Sequence, residues 1–251
     1  MGLHPKIQRR LIDIIKHESK LRKKQFIITT HSPSIVSSFS KNSRLFIEKK
    51  SNGDSCCYEN LSIQATLTRM DSVIYPAINV VCEDKTACCL IRHSLNKFIP
   101  RDNIRLVNVL EMGSANDVYR FFKLTQKANE SLRVPLPVCC ILDGDMKNKR
   151  DSNQALKYPQ QISLYFIDSD DPPEALLLRS YLNENPNETL SYHLDRSNPH
   201  CLYEKCVEQS LAATRDEVRS LLIEQYANTA SGKSFMQRLA IFINSHIENS
   251  V

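Results

Sequence analysis

The chain has 251 residues, 41% of them hydrophobic and 24% charged, with a formal net charge of +5. That is enough for one large domain, or a medium one with a partial second, around an ordinary core. No run approaches the roughly eighteen consecutive apolar residues of a membrane helix, and the N-terminus is polar and basic without a secretory hydrophobic region, so neither a helical span nor a secretory leader is expected and a cytoplasmic location is the default expectation.

The charge is unevenly placed. Residues 1–24 carry eight Lys or Arg against Asp13 and Glu18, a local net of +6 that leaves the remainder near −1. Such a segment attracts nucleic-acid phosphates and serves equally well as a solvated helix face. Nine cysteines are present, several as adjacent pairs in apolar runs, with no Cys-x-x-Cys. Neighbouring strand residues point to opposite faces, so the pattern predicts reduced, buried thiols rather than zinc or disulfides.

Ile7, Leu11, Ile14, Ile15 and Leu21 recur at helical spacing after Pro5, which predicts an amphipathic helix over 5–23. Phe26–Thr29 reads as a short buried strand ending at Thr30-His31-Ser32-Pro33, with a helix from Pro33 to about Phe39. Residues 44–48 and 55–58 flank Asn52-Gly53-Asp54 as a hairpin. A polar helical stretch over 60–76 closes at Pro76, and a domain boundary is expected near residue 75, giving domains 1–75 and 76–251. Beyond it the pattern runs strand 77–82, helix 86–97, strand 104–110, helix 115–128, strand 137–142 and strand 163–167. Helices are expected at 173–182, 201–211, 215–228 and 233–246. This β-α-β rhythm implies a parallel sheet flanked by helices, an α/β fold with a helical tail.

Parallel sheets place their sites at strand C-termini. Val80-Val81-Cys82 ends in Glu83, and Cys139-Cys140-Ile141-Leu142 ends in Asp143-Gly144-Asp145. If the two strands are neighbours, three carboxylates converge. Magnesium takes oxygen ligands of this kind, together with water and substrate phosphate. The intervening glycine would let a phosphate or ion approach the backbone. Taken alone, Asp-Gly-Asp is also an ordinary turn.

Val80–Leu90 followed by Leu142–Asp145 resembles the Toprim domain of topoisomerases, primases and OLD-family nucleases, whose pattern is an apolar run, Glu-Gly-Lys-Thr-Glu, a helix and a later Asp-x-Asp. By that resemblance Glu83, Lys85 and Thr86 match the first motif, Asp143 and Asp145 match the second, and Glu111–Asn116 is similar to the loop after the family's second strand. Two positions depart from the pattern: Asp84 replaces the glycine, and Ala87 stands where OLD-type proteins often carry a second glutamate. That loss puts a second metal in question; Asp84, Glu111 and Glu174 are the acidic residues that could compensate. Glu174, in Pro172-Pro173-Glu174, resembles the family's acidic helix start and is a further metal ligand by resemblance. Lys233 is the best match to a late lysine that would offset charge on the phosphate.

Gly2–Pro5, the first helix and Phe26–Pro33 look like the end of an ABC-type ATPase domain of the same family, with His31 as its switch histidine. No phosphate-binding loop is present; Ser231-Gly232-Lys233-Ser234 lacks the upstream glycine and strand. The chain therefore looks like the C-terminal part of a longer protein, with ATP relevant only to the complete one and no ATPase activity expected here. The resemblance implies a Mg2+- or Mn2+-dependent DNA nuclease of an OLD-like antiphage defence protein. Its site would comprise Glu83, Asp143, Asp145 and Lys233, with Glu174 among the metal ligands. Implied partners are DNA, a homo-oligomer formed through the ATPase part and a defence-system partner protein. The alternative is a catalytically weakened Toprim module acting in assembly or nucleic-acid binding, which Ala87 favours.

Overall fold

In the computed structural model, which describes residues 3–49, 53–61, 63–71, 76–131 and 136–249, Pro5 begins the first helix, α1 (Pro5–Arg22). The proline needs no amide partner at that position, and His4 caps the helix by accepting from Lys6 N at 3.3 Å. The chain divides into two compact units, residues 1–75 and 76–250.

In the first unit α1 packs against the short α2 (Pro33–Val36), and the Ser32 hydroxyl donates to Gln8 Oε1 at 2.5 Å. The first helix forms as expected, and one other expectation needs correction. The apolar stripe of α1 is its exposed side: Ile7, Leu11, Ile14 and Leu21 face outward, while Ile12 is the buried residue. Residues 26–29 form no strand; Phe26 and Ile27 are exposed and pair with no ladder. A strand needs a hydrogen-bonded neighbour, and the hairpin of this unit pairs with itself. Its strands, β1 (Leu45–Lys49) and β2 (Ser55–Glu59), run antiparallel. The connecting residues 50–52 lie outside the described residues, as do 72–75 after α3 (Ile63–Asp71).

The second unit is built on four parallel strands in the order β4-β3-β5-β6. They are β3 (Ile78–Cys82), β4 (Val107–Glu111), β5 (Val138–Leu142) and β6 (Leu164–Phe166). The helices α4 (Lys85–Phe98), α5 (Arg101–Ile104) and α6 (Ala115–Asn129) connect the first three strands; residues 132–135, after α6, lie outside the described residues. Pro100 starts α5, so β4 begins later than the apolar pattern suggests. The tail is helical: α7 (Pro173–Glu184), α8 (Glu188–Arg196), α9 (Leu202–Glu208), α10 (Arg215–Asn228) and α11 (Ala230–Asn249). The apolar reading passes over α8, which Asn187 caps by accepting from Leu190 N at 3.0 Å.

All five residues of β5 are buried, as expected for a sheet covered on both faces. On one face Val81, Cys140, Leu142 and Leu164 pack with Val118 and Phe122 of α6. On the other, α4 lies against α11, tied by Ser94 Oγ donating to Met236 O at 2.5 Å. The cysteines are all free thiols; Cys82, Cys88, Cys139, Cys140 and Cys206 are buried as expected, whereas Cys57 is exposed.

Gly144 serves packing rather than ligand approach. A Cβ there would collide with the Ser169 carbonyl and lie 2.6 Å from Ile167 O, so the exit of β6 occupies the space the sequence suggests for a phosphate. Gly144→Ala is expected to destabilise the protein by about 1–3 kcal/mol, read from urea unfolding. An unchanged midpoint would contradict this close approach.

Candidate metal centre

The register of β3 against β5, with Val81 opposite Cys140, brings the two strand ends level. Just beyond them Glu83 Oε1 accepts from Asp143 N at 2.8 Å, and the Ala115 amide at the start of α6 also donates to the Glu83 carboxylate. Glu83 thus joins β3, β5 and α6. The turn after β4 is fastened to the same place, through Met112 N to Cys82 O at 3.0 Å and Gly113 N to Glu83 O at 2.9 Å. Gly113 takes φ +100 there, a conformation that favours glycine.

Glu83, Asp143 and Glu174 are all buried, at 7%, 5% and 4% exposure. Hydrogen bonds leave part of this acidic group unsatisfied. Asp143 Oδ1, Asp145 Oδ1 and Glu174 Oε2 are buried oxygens without a hydrogen-bond partner, and buried polar atoms in this state are uncommon and costly. Burial, with the charges of Asp145 and Asp84, pushes Glu83 up to about 7, against the pull of its amide donors. Burial pushes Asp143 up to about 9, helped by Glu83, Asp84, Glu174 and Asp145. Burial and the neighbouring Asp84 carboxyl push Glu174 up to about 7. A divalent cation would offset this repulsion and complete the unpartnered oxygens. The donor set, all oxygen from carboxylates, fits Mg2+ or Mn2+.

The sequence-derived residues fare differently. Glu83, Asp143, Asp145 and Glu174 lie at one end of the sheet within electrostatic reach of Asp143. Among the described residues, however, the group whose ligand atoms all lie within 4.8 Å of one another is Asp84, Glu174 and His200; Glu83, Asp143 and Asp145 are not gathered to that spacing. Lys233 is exposed in the first turn of α11 and joins none of the ion pairs around the carboxylates. Lys85 is drawn to Asp216 of α10 at 2.7 Å. Glu111 is exposed at the end of β4. His31 lies in the first unit, exposed just before α2.

Sequence reasoning missed a polar chain behind Glu174. Arg219 Nε donates to Thr86 Oγ1 at 3.3 Å, and that hydroxyl donates to Glu174 Oε1 at 2.9 Å. Arg219 lies on α10, and only the fold brings it to the strand ends. His200 was missed too; its one local signal is the Asn198-Pro199 turn that precedes it.

Residues 1–37 match the family model described as "AAA domain, putative AbiEii toxin, Type IV TA system". Among solved structures the chain is similar to the C-terminal region of the OLD protein of Xanthomonas campestris pv. campestris. That likeness has 16% identity and a TM-score of 0.32, over 71% of this chain and 97% of that one. No curated protein matches. Among the described residues, no helix is long and apolar enough to cross a membrane.

The raised carboxyls give a pH signature of definite sign. Folded pKa values above the ordinary 4.5 and 3.8 mean that the folded chain binds more protons than the unfolded one. The stability this contributes is full below those ordinary values and lost as pH rises through about 7 for Glu83 and Glu174 and about 9 for Asp143. Without added metal, Tm is expected to fall from about pH 5 to about pH 8. Mn2+ should raise Tm more at the higher pH, where its ligands are ionised. A metal effect equal at both pH values would contradict the arrangement.

Proposed function

We propose that residues 76–250 are a Toprim-like, metal-dependent nuclease that hydrolyses DNA phosphodiesters. The observation that carries this reading is the set of unpartnered buried oxygens on Asp143 and Asp145, which follow β5 beside Glu83 at the end of β3, and on Glu174 in the first turn of α7. Glu83, Asp143, Asp145 and Glu174 would hold Mg2+ or Mn2+. Once bound, the ion polarises the phosphate and offsets charge on the leaving oxygen.

The chain's own residues supply positioning. Glu83 is fixed by the Asp143 amide, which aims its carboxylate at the ion that would activate the attacking water. Thr86 and Arg219 orient Glu174 from behind. Lys233, from its exposed position, would reach the phosphate as a charge partner.

The AAA-type match over residues 1–37 supports reading the first unit as the end of an ABC-type ATPase, with His31 its switch histidine. On that reading the chain works in the cytoplasm as part of an OLD-like antiphage defence protein. It would oligomerise through the ATPase part, use ATP only in the complete protein and work with a defence-system partner protein. A second reading, a weakened Toprim module in assembly or nucleic-acid binding, is favoured by Ala87 and by the engagement of Lys85 with Asp216.

Plasmid cleavage with Mg2+ or Mn2+ separates the two. Asp143→Ala and Glu83→Gln are expected to lower the rate by about a hundredfold or more, whereas Glu111→Gln leaves it unchanged. DNA binding without any cleavage would favour the second reading, and cleavage unaffected by Asp143→Ala would sink the proposed site.

A further inference from the structure

The sheet of the second unit ends on one side in β4, and the bonds it makes to β3 fix which of its backbone groups are left over. Leu106 O accepts from Ala77 N at 2.7 Å, and Met112 N donates to Cys82 O at 3.0 Å. Even-numbered residues of this stretch therefore turn their amides and carbonyls toward β3, and Val107, Val109 and Glu111 turn theirs outward. Among the described residues, β4 has a ladder partner on its β3 side alone. Natural edges are blunted by proline, lysine, bulges or shortness. The opposite edge, β6, has three residues, whereas β4 has five, Val-Asn-Val-Leu-Glu, with neither proline nor lysine.

We propose that β4 pairs antiparallel with β4 of a second copy of this chain, about a two-fold axis, joining the two four-stranded sheets into one. Charge selects a second copy as the occupant. Arg105 precedes the strand and Glu111 ends it, and both are exposed. Among the described residues, no hydrogen bond or ion pair engages the Arg105 guanidinium or the Glu111 carboxylate. A two-fold axis at Asn108 sets Arg105 opposite Glu111 of the second copy, and Val107 opposite its Val109. These outward-facing odd residues are the ones able to exchange bonds as hydrogen-bonded pairs, so backbone parity and charge agree on one register. Moving the axis to Val109 keeps the parity but sets Val107 against Glu111 and leaves Arg105 without an anion.

The same register covers apolar surface. A cavity of about 240 Å3 lies along this edge, lined among others by Arg92 and Leu95 of α4 and by Val107 and Val109. The valines of the second copy cap it. Such a contact is isologous and closes on itself, so it leaves no edge on that side for further growth. Antiparallel pairing points the two acidic strand ends in opposite directions, so each copy keeps its own centre. The pairing stands apart from the nuclease reading and from any association through the first unit.

Sedimentation velocity of the full chain over a range of concentrations, combined with charge exchange, tests it. Wild type is expected to form a dimer. Arg105→Glu or Glu111→Arg should each weaken dimerisation about tenfold or more, since symmetry turns two attractive pairs into two repulsive ones. The double variant should recover the wild-type dissociation constant. Both positions are exposed, so the variants should fold, which circular dichroism checks. Asn108→Cys should cross-link the dimer on mild oxidation, with wild type as the control for the native thiols. Residues on the axis form a non-hydrogen-bonded pair with Cα atoms about 4.5 Å apart, within disulfide reach. A wild-type chain that stays monomeric at every concentration would overturn the pairing and leave the edge to an extended strand of a different protein. A dimer indifferent to the single exchanges, not restored by the double one, or not cross-linked through Asn108→Cys would overturn this interface.

Discussion

Buried like charges set the terms for this fold. Glu83, Asp143 and Glu174 are each less than a tenth exposed, and desolvation and mutual repulsion both oppose their ionisation. A chain selected for stability alone would place apolar residues or neutral hydrogen-bonding groups there. Here the cost is concentrated at the ends of two central strands, and only part of it is offset by backbone amides. Perturbed carboxyls concentrated in this way are a common mark of a functional site.

The surrounding structure keeps these groups in place. The parallel register of β3 and β5 makes the strand ends level, and the bond from Asp143 N to Glu83 Oε1 locks the two acidic ends together. Gly144 lets the exit of β6 pass close behind Asp143. The tail is not an appendage, because α7 contributes Glu174, α10 contributes Arg219, and the turn before α9 contributes His200. The local scaffold is thus assembled from residues distant in sequence around one charge problem.

What was legible in the sequence follows from whether a signal is local. Apolar runs that stop in carboxylates identify β3 and β5, since a buried strand and its abrupt polar end are both local features. Pro5 and the capping residues likewise fix helix starts. Phe26–Thr29 shows the limit: an apolar tetrad with the right composition remains irregular because strand formation depends on a partner. The stripe of α1 marks its helix correctly, although periodicity gives a face and not what covers it. At the site, Glu83 and Asp143 were readable from strand ends, and Glu174 only by family likeness. Arg219 and His200 were invisible, because no spacing ties them to Asp84 or Thr86. Gly144 stands out in the sequence for the wrong reason; its neighbour is the backbone of Ile167 and Ser169, just after β6.

Whether the buried carboxylates hold a divalent cation is decided by an anomalous difference map from crystals grown with Mn2+. A peak bonded at about 2.1 Å to carboxylate oxygens of Asp143 and Asp145 is expected. A map with no peak at either strand end, at a pH and Mn2+ concentration that ionise and saturate these groups, would contradict it.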